Sequence, residues 1–241
     1  MRDYCRQTSG RYKRSLNIPI SSYRVIKSVS LVIISFLYLQ SLQGQPIDLQ
    51  SLNQNLKQLS ALSGYFTQEN VDLLQDRNSK ASGRFFFLRP GLMKWIYEKP
   101  DPYSIIAGKE RIWIYDPVLE NVTIHKAEDV SGVKIISLLL EPEKIQRSFR
   151  IIKPKKMLLD VAPGDKLLFL AHKTEDPNIA EIQLAFSATY QIKQFVIVEM
   201  NRNYRKITLQ KLNTQPQLSQ SDFEFKIPDG VEIIDKTRVE P

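Results

Sequence analysis

Cysteine is nearly absent from this 241-residue chain, which holds a single thiol, Cys5. From residue 45 onward there is none, which excludes a disulfide, a thiolate nucleophile and a cysteine-ligated metal in that stretch. Histidine is almost as scarce, with His125 and His172 far apart and each inside a strand-like pattern. Two isolated histidines read as ordinary strand residues. There is no HExxH, no acidic cluster with calcium-loop spacing and no GxSxG elbow. The nine glycines are scattered among turns, so no glycine-rich loop is available to cradle a phosphate. These absences point away from an enzyme and imply neither cofactor nor metal.

Charge of one sign is not evenly spread. The chain has 34 Lys and Arg against 26 Asp and Glu, a net charge of +8. Seven of the basic residues (Arg2, Arg6, Arg11, Lys13, Arg14, Arg24 and Lys27) and one acid, Asp3, fall in the first 44 residues. The remainder therefore sits near +2, too little for a nucleic-acid footprint. The short run Lys153-Pro154-Lys155-Lys156 reads as a solvated loop.

Long apolar runs are also missing, apart from Val29–Leu39, which reads VSLVIISFLYL. It follows Lys27 and precedes SLQGQPID, the layout of a secretory signal peptide. At about half of the ~20 residues a membrane span needs, it is short for an anchor, although a retained anchor is the alternative. The expected organisation is a signal peptide over residues 1–44, cleaved near Gly44, and one domain over residues 45–241. No cysteine follows the apolar run, so this chain is not itself expected to carry an N-terminal lipid.

What the chain does have is strand-forming residues. Leu49, Leu52, Leu56 and Leu59 recur at helical spacing behind Asp48, a suitable N-cap, and predict one helix within residues 48–62 with a core-facing stripe. After Gly64 the period changes. Strands are expected at Tyr65–Val71, Gly83–Leu88, Met93–Tyr97, Tyr103–Ile106, Arg111–Tyr115 and Val122–His125. Five more are expected at Met157–Val161, Lys166–His172, Ala180–Phe186, Ile192–Glu199 and Arg205–Leu212. The connections are too short for helical crossovers, so the sheet should be antiparallel and continuous, curled or closed. Only Val133–Leu140 interrupts it with a helical pattern.

Ten of the 23 aromatic residues lie between Tyr65 and Tyr115, both tryptophans among them. Alternation puts Phe85 and Phe87 on one face of their strand with Arg89 next in phase, and Met93, Trp95 and Tyr97 on one face of the following strand. A filled, double-sided sheet core accounts for these residue types, and a ligand cavity is the alternative. Arg89 sharpens the question. A charge on an apolar face is expensive unless paired, and the guanidinium fork suits a cluster of carbonyl oxygens.

In this order and near this spacing, several pieces resemble the LolA type of outer-membrane lipoprotein carrier. They are the N-terminal helix with Gly64-Tyr65-Phe66-Thr67-Gln68, then Gly83 and an aromatic strand running into Arg89-Pro90-Gly91-Leu92-Met93-Lys94-Trp95, then Pro100-Asp101. Ile112-Trp113-Ile114-Tyr115-Asp116-Pro117 and the closing Phe223-Glu224-Phe225-Lys226-Ile227-Pro228-Asp229-Gly230-Val231 complete the set, which spans almost all of residues 47–235. The resemblance implies a mainly β, incomplete antiparallel β-barrel (a half-barrel) with a helical lid over an apolar cavity. It implies a periplasmic chaperone, a monomer without cofactor, that takes acylated lipoproteins from an inner-membrane lipoprotein-releasing transporter to an outer-membrane lipoprotein receptor.

By the same resemblance Arg89, Leu138 and Leu139 form the gate, Arg89 through hydrogen bonds to the lid. The acyl-chain cavity is then lined by Phe66, Phe85, Phe87, Met93, Trp95, Tyr97, Ile105, Trp113 and Tyr115. Met93 stands where the family usually has an aromatic residue. Gly108-Lys109-Glu110 replaces its usual Asp-Gly turn, and the Thr-Pro that usually opens the lid is missing before Leu138. Two other functions stay open: a carrier for another lipid or glycolipid, and a lipoprotein-sensing regulatory domain of the same fold.

Overall fold

Apolar and β-branched residues alternating over short, turn-bounded segments commit most of the chain to one sheet. The computed structural model describes residues 45–108, 110–126, 143–174 and 176–237. Its strands are β1 (Gln45–Pro46), β2 (Ala61–Asp72), β3 (Arg77–Leu88), β4 (Leu92–Lys99), β5 (Tyr103–Ala107), β6 (Arg111–Asp116) and β7 (Asn121–Lys126). They continue with β8 (Phe149–Ile151), β9 (Lys166–His172), β10 (Ile179–Phe186), β11 (Ile192–Glu199), β12 (Tyr204–Asn213) and β13 (Glu232–Asp235). Two helices, α1 (Leu49–Gln58) and α2 (Glu143–Ser148), and a 3-10 turn at Gln220–Phe223 complete the described elements.

The strands run in the order β1-β9-β10-β11-β12-β2-β3-β4-β5-β6-β7-β13, with β8 also on β9. Hairpin connections make the interior of this path antiparallel. The two parallel pairs, β1 on β9 and β13 on β7, lie at its ends. The sheet does not close on itself. It curls: side chains from both halves, Phe85 and Trp95 on one and Leu168, Ile182 and Phe195 on the other, share a single core. Among the described residues no helix is long and apolar enough to cross a membrane.

Helix α1 begins at Asp48, whose carboxylate accepts the amide N–H groups of Gln50 and Ser51, both at 3.1 Å. Hydrogen bonding from Ser51 holds that carboxyl below its ordinary range. The leucine stripe does what its spacing predicts. Leu52 and Leu56 are fully buried in the concave core, and Leu49 and Leu59 pack at its margin.

Two expectations need correction or extension. Met157–Val161 is not a strand but an irregular crossing of the sheet's outer face. There the Leu158 amide donates to Gln183 Oε1 (3.0 Å) and the Asp160 amide to Gln194 Oε1 (2.8 Å), so side-chain amides replace a neighbouring strand as partners. Leu159 is buried with Leu167, Ala185 and Val196, which is why β10 and β11 read as apolar on both faces. Helix α2, directly after Pro142 in sequence, was not foreseen; it puts Ile145 into the main core. Residues 1–44 and the segment Val133–Leu140 lie outside the described residues.

Gly83 shows how closely the strands approach. It sits at a register shift between β3 and β4, and a Cβ placed there would lie 1.9 Å from the Ile96 carbonyl oxygen. That neighbour is backbone and cannot rotate away. Gly83→Ala is expected to cost about 2–3 kcal/mol, the upper range for overpacking, read as a lowered urea midpoint with an unchanged slope. A midpoint equal to that of the parent chain would show that the two strands can part.

Candidate functional site

Arg89 follows directly on β3, and its side chain turns onto the C-terminus of α1. Its Nε donates to the Leu59 carbonyl at 2.5 Å and its Nη2 to the Leu56 carbonyl at 2.8 Å. The Arg89 backbone amide donates to the Ser60 carbonyl at 2.9 Å. The last carbonyls of a helix lack the usual i+4 amide and carry its partial negative charge; the Leu56 carbonyl accepts the Leu59 amide instead, at 3.2 Å, so a guanidinium is well matched to this end. This resolves why an arginine stands in phase with two phenylalanines: its charge caps the helix whose leucines cover them.

Strand register fixes what α1 covers. Directly opposed residues point to the same face, and two rows run across β2 to β6 with a third across β2 to β5. One is Leu62, Phe87, Met93, Ala107 and Ile112; the next is Gly64, Phe85, Trp95, Ile105 and Ile114. The third holds Phe66, Gly83, Tyr97 and Tyr103. The rings interlock: Phe66 to Trp95 at 4.3 Å, Phe85 to Trp95 at 5.2 Å and Phe66 to Tyr97 at 5.0 Å between centroids. Gly64 leaves room for them, since a Cβ there would come within 3.0 Å of the Phe85 ring. Phe66, Phe85, Trp95, Tyr97 and the row from Leu62 to Ile112 are buried, Tyr103, Ile105 and Ile114 partly so, and Leu52 and Leu56 are buried in the same core.

Residues 57–226 match the family model described as outer membrane lipoprotein carrier protein LolA. The chain belongs to the LolA family. It is 29% identical over 207 residues to an outer-membrane lipoprotein carrier protein of Aeromonas salmonicida, covering 86% of this chain and 98% of that one. It is 26% identical over 185 residues to a protein of the same name from Nitrosomonas europaea, covering 77% and 87%. Among solved structures, a LolA superfamily protein from Nitrosomonas europaea superposes with a TM-score of 0.43 at 5% identity, over 74% of this chain and 98% of that one.

Within this LolA-family sheet, the structure gathers Phe66, Phe85, Phe87, Met93, Trp95, Tyr97 and Ile105 on the concave face. Trp113 and Tyr115 do not join them. Trp113 opposes Ile106 and Tyr115 opposes Ser104, one residue out of phase with Ile105, so both lie on the outer face. There they pack against Phe225 of the C-terminal segment, at 6.5 and 5.7 Å between ring centroids. The concave positions of β6 belong to Ile112 and Ile114 instead. The family resemblance puts Trp113 and Tyr115 in the cavity, whereas strict alternation along β6 separates them from Ile112 and Ile114. Leu138 and Leu139 lie outside the described residues.

The trough becomes polar at the end away from Arg89. Tyr97 Oη donates to Gln68 Oε1 at 2.9 Å, and its ring stacks on Tyr103 at 4.0 Å. Burial pushes both phenols above their ordinary value, Tyr103 the further of the two. The folded state therefore favours the neutral phenols. Their contribution to stability is whole below about pH 10, the unfolded phenol's value, and drains away as the pH rises above it. The urea midpoint is expected to fall above pH 10, and less steeply in Tyr103→Phe. Equal slopes in the two proteins would locate the alkaline sensitivity elsewhere.

Proposed function

We propose that the protein is a periplasmic carrier that holds the acyl chains of lipoproteins against its concave face. In this reading it receives them from an inner-membrane releasing transporter, surrenders them to an outer-membrane receptor and works as a monomer. The observation that supports it most directly is the pairing of an interlocked aromatic face with a removable cover. Leu52 and Leu56 of α1 are buried in the same core as Phe66, Phe85, Phe87, Met93 and Trp95, so in this reading moving α1 opens the packing of that face. Burial of this kind is non-directional and accepts chains of varied length. Met93 adds a pliable thioether among rigid rings.

Acyl chains are worth about 0.8 kcal/mol per buried CH₂, so three of them resist leaving a membrane by tens of kcal/mol. Loading therefore falls to an energised donor, and the carrier's own task is to cover the chains and release them. Release needs a closed state worth returning to. The Arg89 bonds to α1 supply part of it, each charge-assisted bond contributing about 1.5–3 kcal/mol. The apolar lining reads chains rather than their source, which keeps another lipid or glycolipid as the second reading.

Arg89→Leu is expected to fold, to load in a spheroplast release assay, and to pass cargo to outer membranes roughly 10-fold or more slowly, since the open state gains over the closed one. Normal loading and transfer by that variant would sink the gate assignment. Mass spectrometry of material co-purifying with the parent protein separates triacylated lipoprotein from free lipid or glycolipid.

A further inference from the structure

The carrier reading concerns the trough and the α1 end of the sheet; the opposite end has a different character. The turns β2–β3, β4–β5, β6–β7, β9–β10 and β11–β12 all emerge there, because antiparallel neighbours return to the same end. Three of them carry large apolar side chains in full view. Leu73 and Leu74 sit on the β2–β3 turn, Val118 and Leu119 on the β6–β7 turn, and Met200 on the β11–β12 turn. Leu74 is 78% exposed, Leu119 68% and Met200 61%. None of them supports the fold, so burial in the core does not explain their presence.

The backbone at these tips is unusually self-sufficient. The amides of Leu74 and Gln75 both donate to Asp72 Oδ1, at 3.0 and 3.1 Å. The amides of Val118 and Leu119 donate to Asp116 Oδ1 in the same way, at 2.9 and 3.0 Å. The Leu73 amide donates to Asn203 Oδ1 at 2.9 Å and the Met200 amide to the Asn178 carbonyl at 3.2 Å. All five exposed apolar residues thus have their N–H groups bonded internally. A medium that offers no hydrogen bonds would not penalise these amides.

We propose that these hairpin tips dock the protein on a lipid surface, the apolar side chains entering the interface between headgroups and acyl chains. A lipid surface fits better than a protein partner for two reasons. The apolar residues are split between two corners, with the polar β4–β5 turn Lys99-Pro100-Asp101-Pro102 between them, so there is no continuous patch of the kind a protein interface buries. Each corner is also a convex tip. Carboxylates outnumber bases on the described residues of these five turns, with Asp72, Asp76, Asp101, Asp116, Glu120, Asp176 and Glu199 against Arg77, Lys99, Lys173 and Arg202. Docking is therefore apolar in origin, indifferent to salt, and stronger on zwitterionic than on anionic lipid.

This proposal is independent of acyl-chain binding in the trough, and either can fail alone. The test uses the full chain with Cys5→Ser and one cysteine labelled with an environment-sensitive fluorophore, through Leu74→Cys, Leu119→Cys or, at the α1 end, Thr189→Cys. Local probes report on the tips whatever residues 1–44 do. On phosphatidylcholine vesicles the labels at 74 and 119 are expected to shift to the blue and brighten severalfold, equally at low and high salt. Vesicles of phosphatidylethanolamine and phosphatidylglycerol should give a weaker shift, and the label at 189 none.

In vesicle flotation, Leu74→Asp with Leu119→Asp should lower the response at a label on Met200→Cys at least 10-fold while far-UV circular dichroism stays unchanged. A label at 74 or 119 that keeps its aqueous spectrum overturns the proposal, as does an equal shift at 189 or loss of the shift in salt. A shift that grows with protein concentration without vesicles would assign the tips to a second copy and equally overturn it.

Discussion

The structure depends on one constraint: an open, curled sheet with an apolar concave face has to be covered in water. Closing the sheet on itself would remove the problem and the trough with it. Among the described residues α1, an amphipathic helix, supplies a large part of that cover, and Ile145 of α2 is buried in the same core. Burying Leu52 and Leu56 contributes about 1.5–3 kcal/mol each, and the two Arg89 side-chain bonds about as much again. Leucine burial has no preferred direction, whereas the guanidinium meets the Leu56 and Leu59 carbonyls in one arrangement. Hydrophobic burial therefore holds the helix down and Arg89 sets where it lies.

Those magnitudes bear on the carrier reading. Displacing such a cover costs about 6–12 kcal/mol, which burial of roughly 8–15 methylenes offsets at about 0.8 kcal/mol each. One or two acyl chains suffice, with no nucleotide. A much larger closing energy would exclude cargo, and a much smaller one would leave the aromatic face open to water and to other copies. A two-leucine stripe with one arginine lies within that range.

Much of this architecture is legible in the chain. The spacing of four leucines behind Asp48 places α1 and its buried face, and eleven alternating segments foretell ten of the thirteen strands. What escaped has physical reasons. β1, β8 and β13 are only two to four residues long, so they form because an edge offers them partners and not because their residues demand it. Met157–Val161 alternates like a strand because Leu159 is buried, yet its amides find glutamine side chains. The resemblance puts Trp113 and Tyr115 in the cavity; period two separates them from Ile112 and Ile114, but which pair faces inward depends on the register with β5. Gly83 could be noticed, but that its missing Cβ makes room for the Ile96 carbonyl depends on a register no single strand reveals.

The placement of α1 follows from the same topology. Its N-terminal side is joined to β1, which pairs with β9 at one edge of the sheet, and its C-terminal side runs through Ser60 into β2, in the middle of the strand order. Ten residues of helix span about 15 Å, so α1 bridges the aliphatic half of the sheet and the aromatic half. The aliphatic half is covered on its outer face by the segment around Leu159 and packs Leu168, Leu170 and Ile182 inward. The aromatic half carries the interlocked rings and, at its corner, Arg89. Motion of α1 away from the trough is therefore that of a strap held by chain continuity at both ends, and the Arg89 guanidinium ties it laterally through the Leu56 and Leu59 carbonyls. In the carrier reading, such a site would open when something equally apolar takes the place of the leucines in the core, and it would close again because two carbonyls and a charge still have each other to return to.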